Sequence, residues 1–133
     1  MQPPLEEIRP DDDLFRRIVP DNVTHGELNA GAFSLRPGED SLSVDIARLT
    51  SPEECLARAG RPDVGLAVIS VGSVGALGLS VEHDPIPDDP DAGFTVNYAH
   101  ARITGENSRA IRSKLARTAV ILVMPERRAA DSL

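Results

Sequence analysis

The sequence predicts an α+β fold: a single domain on a mixed, mostly antiparallel sheet of five or six strands, with one long C-terminal helix and two short ones. Three observations carry that expectation. Polar and apolar residues alternate at 41–46, 79–83 and 94–99, the period of a half-buried strand. A nearly unbroken apolar run at 64–71 lies between turn signals, as a strand covered on both faces would. Helix-start chemistry occurs at Ser51 and again at Asn107.

The elements follow in order. Residues 1–13 contain Pro3, Pro4, Pro10 and Asp11-Asp12-Asp13, and read as a flexible acidic lead-in to a domain over 14–125. Residues 14–19 suggest a short strand stopped at Pro20-Asp21-Asn22, although the apolar positions alternate too poorly to exclude helix. Residues 29–35 suggest an irregular extended piece before the turn at 36–40. In 41–46, Leu42, Val44 and Ile46 share one face. Ser51 suits a helix N-cap, Pro52 the first helical position and Glu54 a capping box, with Gly60 closing the helix after Ala59. The run at 64–71 gives a central strand, followed by a short helix near 73–77 ended by Gly78. Leu79 and Val81 point inward from the next strand. Residues 84–93, rich in Pro and Asp, form a surface loop, and Phe94, Val96 and Tyr98 share a face of the strand at 94–99. Asn107 caps the longest helix, with Ile111, Leu115, Thr118 and Leu122 at helical spacing. The apolar segment 120–124 fits either the buried end of that helix or one more strand. Pro125 ends it, leaving a tail at 126–133.

Composition limits what such a domain can do. With 133 residues it can bury a core, and with three Phe, one Tyr and no Trp that core is aliphatic. Cys55 is the only cysteine, so no internal disulfide forms and a reducing cytoplasm is the expected setting. The start lacks the basic and apolar regions of a signal peptide, and the longest apolar run, 119–124, is far short of the ~20 residues that span a bilayer. A soluble protein without membrane partners is expected. The net charge of −7 divides into −11 over residues 1–100 and +4 over 101–133. That polarity suits docking of the basic end on an acidic protein or on another copy, and disfavours nucleic acid.

The motifs with chemical potential are few. Gly72, Gly75 and Gly78 are spaced G-x-x-G-x-x-G, which suits a tight strand-to-helix turn and does not match a dinucleotide fingerprint. His25, His83 and His100 lack metal-ligand spacing, so no metal is expected. Cys55, inside an amphipathic helix, reads as a packed, inert thiol. His83-Asp84 stands at a strand end before a loop, a common location for sites. Arg16-Arg17 is the one unusual basic pair. A regular strand turns one of the two toward the core, where it must meet a carboxylate or an anionic ligand.

Two resemblances follow from these residues. Leu14-Phe15-Arg16-Arg17-Ile18, Ala32-Phe33, Leu42-Ser43-Val44, the helix start at 50–54, residues 79–85 and the late basic helix together resemble a widespread family of small uncharacterised bacterial proteins. That family implies no activity, and where its members carry a His before the strand at 94, this chain has Asp91-Ala92-Gly93. The layout of an Arg on a first strand, Leu-Ser on the next, then helix, strand and Gly-ended turn also resembles the ADP-ribosyltransferase superfamily. By that resemblance Arg17 or Arg16 would hold the phosphates of NAD and Ser43 would brace the nicotinamide ribose. The late-strand Glu or His of that superfamily has no match beyond Glu106.

The candidate ligand-binding residues are therefore Arg16, Arg17, Ser43, His83 and Asp84. The expected function is a non-catalytic protein-binding module of accessory, antitoxin or immunity-like kind, without cofactor. The alternative is an active or degenerate NAD-binding relative of the ADP-ribosyltransferases.

Overall fold

The computed structural model describes residues 4–87 and 96–126. At its centre lies β1 (Asp13–Ile18), hydrogen-bonded antiparallel to β4 (Leu42–Ile46) on one side and β5 (Gly65–Ser70) on the other. Beyond β4 come β7 (His100–Thr104) and β6 (Ser80–His83), and beyond β5 comes β8 (Val120–Val123). The six strands run in the order β6-β7-β4-β1-β5-β8, each antiparallel to its neighbours. The α+β class and the six-stranded sheet thus stand.

Both faces of the centre are covered, which explains why residues 14–19 alternate so poorly. Leu14 and Ile18, fully buried, join Val44, Ile46, Ala67, Ile69, Ala101 and Ile103 in the larger core. Phe33 of a 3-10 turn (Ala30–Phe33) and Leu115 of α3 (Arg109–Thr118) close it. Phe15 faces the other way and packs with Leu66 and Cys55 beneath α1 (Pro52–Ala59). A strand with apolar side chains on both faces has no period of two to display.

Local chemistry sets the element ends. Ser51 Oγ accepts the Glu54 N–H at 3.1 Å and Gly60 closes α1 at φ 67°. Glu54 does not complete the capping box; its carboxylate accepts from the Thr50 hydroxyl at 3.3 Å. The helix after β5, α2 (Val71–Ala76), begins at Val71, earlier than its sequence suggests, because Ser70 is the N-cap and its Oγ accepts the Ser73 N–H. Gly65 is required by packing: a Cβ there would sit 2.1 Å from the Val123 carbonyl oxygen, so only glycine lets the end of β8 cross it.

Three further expectations need correction. The strand placed at 94–99 lies at β7 instead: Asn97 forms a single bridge to Ile86, and residues 98–99 turn so that the Ala99 carbonyl accepts the Ile46 N–H. Only Ala101 and Ile103 mark β7 in sequence, a weak alternation beside Val96 and Tyr98. Residues 94–95 and most of the loop at 84–93 lie outside the described residues, as does nearly all of the tail at 126–133. Segment 120–124, which fits either a helix end or a strand in sequence, is a strand through Val123. Ala119 turns extended at ψ 153°, and Val120, Ile121 and Val123 form β8, where β-branched side chains fit better than in a helix. Leu122, assigned a place on the helix wheel, sits in that edge strand and is 51% exposed. Ser108, not Asn107, caps α3; Asn107 Nδ2 donates to the Phe33 carbonyl and ties the helix start to the 3-10 turn.

A small ribbon, β2 (Val23–Thr24) with β3 (Glu27–Leu28), had no sequence expectation attached. Its two-residue turn has His25 at φ 52° and Gly26 at φ 79°, the positive values a twisted hairpin turn needs. The acidic lead-in is anchored over residues 4–12. Arg48 donates to Asp12, Glu6 and the Glu7 carbonyl, and Tyr98 Oη donates to the Pro4 carbonyl. Among the described residues no helix is long and apolar enough to cross a membrane.

Candidate functional site

Arg16 and Arg17 are adjacent on β1, so their side chains leave on opposite faces of the sheet. Arg16 takes the side of the larger core. Its Nε donates to the Ala32 carbonyl and Nη1 to the Ser43 carbonyl, both at 2.9 Å, with a longer contact from Nη2 to Ser34 O. All three acceptors are neutral. Burial therefore dominates and pulls the guanidinium down to about 10, with Arg36 and Arg17 adding repulsion against the attraction of Glu39. A core-facing Arg was expected to meet a carboxylate or an anionic ligand, and carbonyl oxygens are a third solution.

Arg17 takes the conventional route. Its Nη2 donates at 2.8 Å to Asp45 Oδ2 and its Nε to the Cys55 carbonyl. Asp45, on β4, is fully buried and surrounded by donors: Oδ2 also accepts from Arg58 Nη2 at 3.1 Å and Cys55 Sγ at 3.0 Å, and Oδ1 from Asn97 Nδ2 at 2.9 Å. Burial opposes ionisation of Asp45, but the Cys55 thiol, the Arg17 charge, Asn97 and Arg58 outweigh it and hold the carboxyl below its ordinary range. The same contact, added to burial, pushes the Cys55 thiol up to about 12, so it is a donor and not a nucleophile.

These groups wall a cleft of about 500 Å³ where β1 ends and β4 and β5 begin. Among the described residues its lining carries five arginines, Arg16, Arg17, Arg36, Arg58 and Arg61, against one acid, Glu39. A chain of net charge −7 thus concentrates positive charge in one concave place. Arg61 is neutralised by Asp63 through two short bonds, and Arg58 and Arg17 share a single carboxylate. Arg16 has no carboxylate within salt-bridge distance among the described residues.

The sequence candidates separate into two groups. Arg16, Arg17 and Ser43 line the cleft together. His83 and Asp84 do not. His83 is buried elsewhere, its Nδ1 accepting the Glu6 N–H at 2.8 Å, so Nε2 carries the proton and donates to the Tyr98 carbonyl at 2.6 Å. That ring is a clasp between the lead-in and β6. Asp84 touches the cleft only through His100, a lining residue whose Nδ1 lies 2.7 Å from the Asp84 carbonyl. The glycine-rich segment cradles no phosphate. The Val71 and Gly72 N–H groups at the head of α2 already donate to the Asp12 and Pro10 carbonyls. No cluster of three or more metal-ligating side chains occurs among the described residues.

Sequence reasoning missed Arg36, Asp45, Arg58, Arg61, Asn97 and His100. Only Asp45 gave a usable signal: an acid on the supposedly solvated face of a strand whose sheet is covered on both sides must be paired. The others reach the cleft from loops, from the end of α1 and from the start of β7, whose convergence is a property of topology.

No protein-family model, curated protein or solved structure matches the chain.

Proposed function

We propose that this chain is a non-catalytic binding module that takes an anionic group into the arginine cleft. One observation carries the reading. Arg16 is a half-buried cation held by backbone carbonyls, with two N–H groups left over from the five a guanidinium offers. A charge partly withdrawn from water without a counter-ion is costly in proportion, and an incoming phosphate or carboxylate offsets that cost. The volume falls within the range of small-molecule sites, which favours a small anion over the acidic side chains of a partner protein. A binding role without chemistry is supported by the disposition of the reactive groups. The Cys55 hydrogen is given to Asp45, and both His83 ring nitrogens are occupied by backbone.

A second reading, an NAD-binding relative of the ADP-ribosyltransferases, is favoured by the presence of Arg16, Arg17 and Ser43 in the lining of one cleft. Both readings are tested by thermal unfolding at low salt with inorganic pyrophosphate or NAD. The anion reading expects pyrophosphate to raise the melting temperature in the wild type and not in folded Arg16→Gln. NAD acting at far lower concentration than pyrophosphate would favour the second reading. No shift with either at millimolar concentration would end both.

A further inference from the structure

We infer that the anion taken by this cleft carries two separated negative groups, one for each face of β1; the inference rests on the anion-binding reading above. Consecutive strand residues project to opposite faces, yet Arg16 and Arg17 line the same cleft, so the cleft wraps the end of β1 and has two lobes. In the first lobe Arg16 and Arg36 face Glu39, the single acid there among the described residues, an excess of one positive charge. In the second, Arg17 and Arg58 share Asp45, again an excess of one. Glu54 lies 3.9 Å from Arg58 but is 66% exposed, where water screens it. The charge left over is therefore split, with one unit on each side of the strand.

Among the described residues Arg58 Nε and Asn97 Oδ1 are buried without a partner, and both residues line the cleft. The Asn97 amide is not free to turn, because its Nδ2 is committed to Asp45 Oδ1. Both atoms are sealed from solvent, so they mark a local cost of the fold and are not contacts offered to the anion. A molecule with a phosphate at each end fills both lobes while losing translational freedom once, and so gains over two independent ions.

Calorimetry at fixed ionic strength with three probes tests this: inorganic phosphate, pyrophosphate, and a sugar bisphosphate with a phosphate at each end. The expected result is a sugar bisphosphate bound at least about tenfold more tightly than phosphate or pyrophosphate, a difference of ~1.4 kcal/mol. Arg16→Gln and Arg17→Lys, the latter keeping a charge on Asp45, should each return its affinity toward that of phosphate. If either variant fails to fold, Arg36→Gln tests the first lobe and Arg58→Lys the second. Phosphate binding as tightly as the bisphosphate would overturn the two-lobe inference while leaving the anion reading intact. So would loss of affinity from variants in one lobe only. Absence of binding by all three probes would instead remove the anion reading itself.

Discussion

Asp45→Asn is the substitution whose cost the geometry defines most closely. All four neighbours of the carboxylate donate: Arg17, Arg58 and Cys55 to Oδ2, and Asn97 to Oδ1. An asparagine must turn its NH₂ toward a donor in either orientation, and it leaves two guanidiniums, 26% and 21% exposed, without a counter-charge. Removing one partner of a buried ion pair costs about 3–5 kcal/mol. For a chain of 133 residues that corresponds to a fall in melting temperature of roughly 10–20 °C. The pH dependence fixes the sign. Because the folded carboxyl is depressed, its contribution is complete above the unfolded value of about 3.9 and is lost as pH falls through the folded value. Urea unfolding of wild type and variant should therefore differ by the full amount at neutral pH, and the gap should close only in acid. A neutral-pH loss below about 1 kcal/mol, or a gap unchanged down to strong acid, would refute the network as described.

Other substitutions probe separate parts of the fold. Arg16→Met strips the donors from the Ala32 and Ser43 carbonyls and should cost about 1–3 kcal/mol in chemical denaturation. Stability equal to wild type would mean the guanidinium is not held as seen. Gly65→Ala drives a methyl into the Val123 carbonyl and the Pro125 nitrogen. It should speed amide exchange in β8 before the rest of the sheet, and unchanged protection there would contradict the close crossing. Ser51→Ala removes the α1 cap and should lower stability by ~1 kcal/mol. Cys55, fully buried and donating to Asp45, should react with a thiol reagent at pH 8 only at the rate of unfolding, whereas labelling within seconds would show the network open.

Much of the fold was legible because the outer elements obey local rules. Ser51, Pro52 and Gly60 define α1 by capping chemistry alone, and Leu42, Val44 and Ile46 define β4 by their period. Legibility fails where tertiary structure sets the outcome. Residues 120–124 carry no periodicity, so their β-branched content, not their apolarity, was the usable cue. β7 went unseen because its inward residues include one as small as Ala101, while the better pattern at 96–98 is spent on a bridge and a turn. In the cleft, the Arg16-Arg17 pair was visible as an anomaly of a strand, and Ser43 was visible through a resemblance of layout. Arg36, Arg58 and Arg61 were not, because a loop and a helix end bring them beside β1 from distances in sequence that no motif spans. His83 and Asp84 show the converse: their position at a strand end invites a functional reading, and the structure uses His83 to fasten the lead-in.

The cleft's role is most directly tested by following arginine Nε–Hε signals by NMR while pyrophosphate is added. Saturable shifts are expected for Arg16, Arg17 and Arg58, with Arg48, held by Asp12 and Glu6 near the opposite end of β1, left in place. Parallel, non-saturating drift of all the arginine signals, or no movement at Arg16, would contradict it.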